Sequence, residues 1–161
     1  MKCGQAPQRI CRDLGRYRPW PPIKNTNQFP VSIFLPTAAC SRGLAWVAAA
    51  KEAGLHELAI ELVARSPADP RTLTRAAKDY AVERPQFALD AGMAALRWIS
   101  LGHGYEITSP DVHDAYTAVM QVAVGARIEE HCMRAQIEEL IAGPEPNKQF
   151  MRTALAHKLL T

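Results

Sequence analysis

The sequence predicts an all-α fold: six to seven helices stacked as antiparallel hairpins, an α-α superhelix behind an extended N-terminal segment. Three observations predict it. The first is a repeat. Ala49-Ala50-Lys51-Glu52 returns as Ala76-Ala77-Lys78-Asp79, and Leu58-Ala59-Ile60-Glu61 returns as Phe87-Ala88-Leu89-Asp90. The two matches are offset by 27 and 29 residues, so the second copy has a turn two residues longer. A helix pair recurring at such a spacing marks stacked hairpins, in which each unit buries a face that its neighbour must cover. The second observation is helical apolar period from Ser41 onward. The third is Gly and Pro punctuation between the periodic stretches.

The elements follow in order. Residues 1–42 hold six of the twelve prolines and show no helical period, so they read as extended or disordered. Val31-Ser32-Ile33-Phe34-Leu35, between Pro30 and Pro36, is a short strand-like piece. A first helix is expected at 42–53 with Leu44, Val47 and Ala48 on one face, ended by Gly54. A second, at 55–65, presents Leu55, Leu58, Ala59, Leu62 and Val63 as one apolar stripe. Ser66-Pro67-Ala68-Asp69-Pro70 then breaks the chain, with Asp69 as N-cap and Pro70 as first residue of a third helix, 70–82. Its inward residues are Leu73, Ala76, Ala77 and Tyr80.

Pro85 opens a fourth helix that runs to Leu101 and is apolar around much of its circumference, which places it centrally. Ser109-Pro110 repeats the capping logic for a fifth helix, 110–123, with Val112, Ala115, Tyr116, Val119 and Val122 inward. Gly125 separates it from a sixth, 127–142, which Gly143-Pro144 ends. Asn147 is then positioned to cap a seventh, 148–160. Alanine is frequent on the inward faces, so helix axes can approach closely. No strand is expected in the body.

Composition bounds the function. With 161 residues, 48% hydrophobic and 22% charged, the chain is one ordinary domain with a tail. The net charge of +3 is unevenly divided. Residues 1–42 carry seven Lys/Arg and one acid, net +6; residues 43–161 carry twelve Lys/Arg and fifteen acids, net −3. The division gives a basic, Pro-rich segment, 1–42, and a mildly acidic helical domain, 43–161. Cys3, Cys11, Cys40 and Cys132 show no zinc-ligand spacing. With no apolar leader at the start, a cytoplasmic protein with reduced thiols is expected. No run reaches membrane-span length, so no membrane partner is expected.

Gly54-Leu55-His56-Glu57-Leu58-Ala59, followed by Pro67, resembles the second half of a tetratricopeptide repeat. That family places a glycine in the turn, an alanine in the second helix and a proline at its end. The unit here is shorter, and the aromatic-Leu-Gly signature of the first helix is missing. The likeness covers residues 44–100 and implies protein or peptide binding in a groove, without catalysis.

Four places carry chemistry-bearing residues. Gly102-His103-Gly104-Tyr105-Glu106 is the longest gap between expected helices, and His103 and Tyr105 beside Trp98 make it a candidate binding loop. Its plain reading is a helix stop with an aromatic packed back on the core. Glu129-Glu130-His131-Cys132 contains metal-ligand types, but on a helix both carboxylates point away from His131, so no metal site is assigned. Ser109, His113 and Asp114 have the residue types of a hydrolytic triad but no nucleophile elbow, so no catalytic residue is assigned and no cofactor is expected. In the tail, Arg16, Arg18 and Trp20 suit phosphate and base contacts. Arg16-Tyr17-Arg18-Pro19-Trp20-Pro21-Pro22 also has the form of an extended ligand for an aromatic groove.

The leading expectation is a non-enzymatic module that binds a protein or peptide across its helices. A nucleic-acid-associated protein using the basic tail is the first alternative, and a small helical enzyme or cofactor carrier around His103, Tyr105 and His113 is the second. A homodimer is open, because a second copy can equally cover alanine-rich faces.

Overall fold

The computed structural model describes residues 53–65 and 67–159, and all of their regular structure is helical. The order is α1 (His56–Arg65), α2 (Pro70–Asp79), α3 (Pro85–Ser100), α4 (Ser109–Gly125), α5 (Glu130–Ile141) and α6 (Pro146–Leu159). The expected helix at 42–53, the piece at 31–35 and the tail residues Arg16, Arg18 and Trp20 lie outside the described residues. No described helix is long and apolar enough to cross a membrane.

The helix starts follow their capping chemistry. Asp69 is extended at the N-cap of α2, and its carboxylate accepts from the Thr72 N–H and hydroxyl, both at 2.9 Å. Pro70 occupies the first turn, where a missing N–H costs nothing. α4 departs from expectation by one residue: its N-cap is Thr108, and Ser109 is helical. The Thr108 N–H and hydroxyl donate to Asp111 Oδ2 at 2.8 and 2.7 Å. A carboxylate three residues into the helix fixes the cap, and Ser109 has none at the matching place. α6 likewise starts before Asn147, at Pro146.

Two helices end in the same hydrogen-bonded turn. After α3, Gly102 N–H bonds Ile99 O at 2.9 Å and His103 N–H bonds Trp98 O at 2.8 Å, with Gly102 at φ +82°. After α4, Arg127 N–H bonds Val124 O at 3.1 Å and Ile128 N–H bonds Ala123 O at 2.9 Å. These are Schellman motifs, which satisfy the last orphan carbonyls around one left-handed residue. In the second, that residue is Arg127 at φ +59°. Gly125, the expected separator, is the last residue of α4. α5 ends differently: Arg152 of α6 donates to the carbonyls of Ile141 and Gly143 at 2.6 and 2.7 Å.

α3 is the centre of the core. Every residue from Ala91 to Ser100 is buried, and α3 packs against each of the other five helices. The all-round apolar character of its sequence is therefore matched by all-round burial. Ala77 of α2, Ala91 of α3 and Ala118 of α4 meet in one small-residue cluster. Nearby, a Cβ on Gly92 would stand 2.6 Å from Val119 Cγ2, so α3 and α4 touch where α3 has no side chain. Leu89 and Leu96, both fully buried, each contribute about 1.5–3 kcal/mol of transfer free energy.

The inward residues expected on α4 are all buried, and so are Phe87, Ala91, Ala94, Ala95 and Trp98, the inward residues expected on α3. α1 differs. Ala59 and Val63 are buried, but Leu55 and Leu58 are 53% and 44% exposed. Within the described residues α1 lies against α3 by a stripe narrower than its apolar face. Ala59 and Ala88 are both fully buried, and Ala59 packs with Phe87. At the last matched pair of the sequence repeat, Glu61 is exposed and Asp90 mostly covered.

Candidate interaction surface

The loop from Leu101 to Thr108 joins α3 to α4. Its first half is fixed by the Schellman turn. In that motif the residue after the left-handed glycine packs on the helix three positions before the cap. Here these are His103 and Trp98, whose rings meet edge to face with centroids 4.9 Å apart. The Trp98 indole N–H donates in turn to Val63 O at 3.2 Å, which ties α3 to α1. Burial lowers the His103 pKa, so the ring is neutral at neutral pH. His103 is thus the aromatic that packs back onto the core.

The second half is held by Arg71. Its Nε and Nη2 donate to Asp111 Oδ1 and Oδ2 at 2.7 and 3.0 Å, and Nη2 also donates to Glu106 O at 3.0 Å. One guanidinium joins the start of α2, the loop backbone and the first turn of α4. The Arg71 hydrogen bond, aided by both Thr108 donors, holds the Asp111 carboxyl well below the usual range. Glu106 adopts φ +46°, a left-handed conformation that side chains rarely take. Its carbonyl is the one that Arg71 grips. Gly104 lies against Pro70, where a Cβ would stand 3.1 Å from Cδ.

Between those two anchors Tyr105 is 77% exposed. Leu101 at the loop's start is 41% exposed. Gly102 abuts the start of α6, since a Cβ there would stand 2.5 Å from Asn147 Nδ2. One turn further along α6, Phe150 is 37% exposed. The structure therefore separates the two loop residues singled out in the sequence: His103 is half-buried against Trp98, and Tyr105 is exposed.

A groove of about 330 Å³ runs beside this loop between α2 and α4. Arg71, Arg75 and Lys78 line one wall, Asp111 and Asp114 the other, and Ile99 of α3 adds an apolar contact. Lys78 pairs with Asp114 at 3.0 Å. Spacings of four and three residues put the basic groups on one face of α2, and a spacing of three does the same for the acids on α4. These spacings are visible in the sequence, but which faces meet is not. His103, Tyr105 and His113 do not line the groove.

Two further places are informative. Asp90 of α3 is mostly covered, its pKa pushed up to about 6 by burial against a weak opposing effect of Gln86. Gln86 Nε2 stands 3.5 Å from both carboxylate oxygens. At the start of α5, Glu129 is the N-cap with extended backbone, and its Oε2 lies 3.2 Å from His131 Nδ1. The expectation that Glu129 points away from His131 is corrected, because that expectation assumed a helical Glu129. Glu130 does turn away and pairs with Arg134 one turn on. His131 Nε2 lies 3.4 Å from Cys132 Sγ. One ligand atom from each of Glu129, His131 and Cys132 lies within 4.8 Å of the other two, a cluster of metal-ligand types that the sequence spacing on a helix did not predict. Cys132 is disulfide-bonded, which departs from the expectation of reduced thiols.

In comparison with known proteins, the chain matches no family model, no curated protein and no solved structure.

Proposed function

We propose that the helical body is a non-enzymatic interaction module, built on hairpin-stacked helices of tetratricopeptide-like kind, that binds a protein or peptide. The observation that carries this reading is the clamped loop. Arg71 and the Schellman turn fix both halves of the loop, yet its one tyrosine projects into solvent. An exposed aromatic on a pre-ordered backbone loses little entropy on binding, which is how rigid aromatic anchors act in interfaces. Leu101 and the α2/α4 groove extend the surface on either side, and Arg75 adds an exposed guanidinium there.

Affinity capture from a native lysate, with nuclease present, tests this. The full chain, Tyr105→Ala and Arg71→Ala serve as baits, each checked for native helicity. One specific protein on the wild-type bait, reduced about tenfold by Tyr105→Ala, supports the reading. Capture that nuclease abolishes, or that Tyr105→Ala leaves unchanged, overturns it.

A further inference from the structure

We propose that Glu129, His131 and Cys132, at the start of α5, form a zinc site in the thiol form of the protein, which the disulfide closes and its reduction opens. The helix start brings the three together. Glu129 is the N-cap, and His131 and Cys132 follow in the first turn. An N-cap side chain ordinarily curls back to accept from a backbone N–H of that turn. Glu129 makes no such bond. Its carboxylate meets the His131 ring instead, with Oε2 3.2 Å from Nδ1. Cys132 Sγ lies 3.4 Å from Nε2 of the same ring. One ligand atom from each residue falls within 4.8 Å of the other two.

With zinc bonds of about 2.0–2.3 Å, tetrahedral ligand atoms stand about 3.3–3.6 Å apart. The cluster therefore closes on an ion with a movement of about 1 Å at its widest side. Glu129 and His131 supply that movement, since both side chains are more than half exposed, while Cys132 is buried and holds the third corner. The donor set selects the metal. Carboxylate, imidazole and thiolate together suit zinc, whereas magnesium and calcium take oxygen ligands. Three protein ligands leave the fourth position to water. The ligand form of cysteine is the thiolate, and Cys132 is disulfide-bonded, so in that form the third bond is missing. A phosphine supplies the thiol form. It reduces the S–S bond and takes up the oxygen of water as phosphine oxide, and the two sulfurs take the two protons. Zinc then displaces the proton of the Cys132 thiol to solvent.

The test uses the full chain kept reduced by a phosphine, with Cys132 confirmed as thiol by mass spectrometry. Cobalt(II) serves as the coloured stand-in, and zinc is added in competition. The wild type is expected to show a thiolate-to-cobalt charge-transfer band that zinc removes, and the oxidised chain to show none. Cys132→Ser should abolish the band. His131→Gln and Glu129→Gln should each weaken zinc binding by more than about tenfold, because even outer-shell partners of a metal are worth about 10–100-fold. These two positions are exposed, so they carry the test should Cys132→Ser disturb the core, and circular dichroism checks helicity throughout. A band that survives Cys132→Ser places the metal on other cysteines and overturns the proposal. So does a reduced wild type without a band, an equal band in the oxidised chain, or unchanged affinity in either exposed variant.

Discussion

Asp90 makes stability depend on pH with a defined sign. Burial holds its carboxyl at about 6, against an ordinary 3.8. The folded state therefore holds this proton more tightly than the unfolded chain does. Between pH 4 and 6 the folded state binds the additional proton, so stability falls as pH rises through that window and is level above it. At about 1.36 kcal/mol per pKa unit the full interval is worth about 3 kcal/mol, and partial water access reduces this to about 2 kcal/mol. Asp90→Asn removes the charge and keeps a group for Gln86 to meet. The variant is expected to be about 2 kcal/mol more stable than wild type at pH 7.5 and equal to it at pH 4. Urea unfolding followed by circular dichroism at both pH values measures this. Comparing variant with wild type at each pH cancels other titrating groups, Asp111 among them. A gain of the same size at both pH values, or a loss at pH 7.5, would show that burial does not penalise the Asp90 charge.

Two further perturbations probe the packing and the turns. Gly92→Ala places a Cβ against Val119, whose β-branched side chain has little rotamer freedom in a helix. Overpacking costs about 1–3 kcal/mol and better helix propensity returns about 1, so a net loss of about 1 kcal/mol is expected in a thermal melt. The paired change Val119→Ala should make Gly92→Ala favourable, and a loss unaltered by that pairing would refute the contact. Arg127→Gly, at φ +59°, relieves a left-handed conformation worth about 1 kcal/mol and should raise the melting temperature. A lowered melting temperature would mean that the Arg127 side chain contributes more than its backbone costs.

What was legible in the sequence is what depends on near neighbours. Asp69-Pro70 and Pro85 mark helix starts because a cap and an N1 proline act within four residues. α3 was legible as the central helix because its own circumference is apolar. Legibility fails where one residue's role is set by another's conformation. Thr108 takes the cap from Ser109 because Asp111 faces Thr108. Glu129 meets His131 because a cap residue is not helical. The exposure of Leu55 and Leu58 shows the same limit, since an apolar stripe states what a helix can cover and not how much of it a neighbour reaches. The Arg71–Glu106–Asp111 clamp was out of reach altogether. Its partners are 35 and 40 residues apart, and no local pattern links them.

The burial of α3 on every side has a consequence for synthesis. When Ser100 has just been made, only α1 and α2 of its five covering helices exist, and α6 is complete 59 residues later. At about 5–20 residues per second that interval is about 3–12 s. Until then the most apolar of the described helices lacks part of its cover, and Trp98, Ile99 and Leu96 await the neighbours that bury them. The nascent chain at this stage is a natural client for holding chaperones, and an arrest of translation between α3 and α6 would leave a fragment that sticks rather than folds.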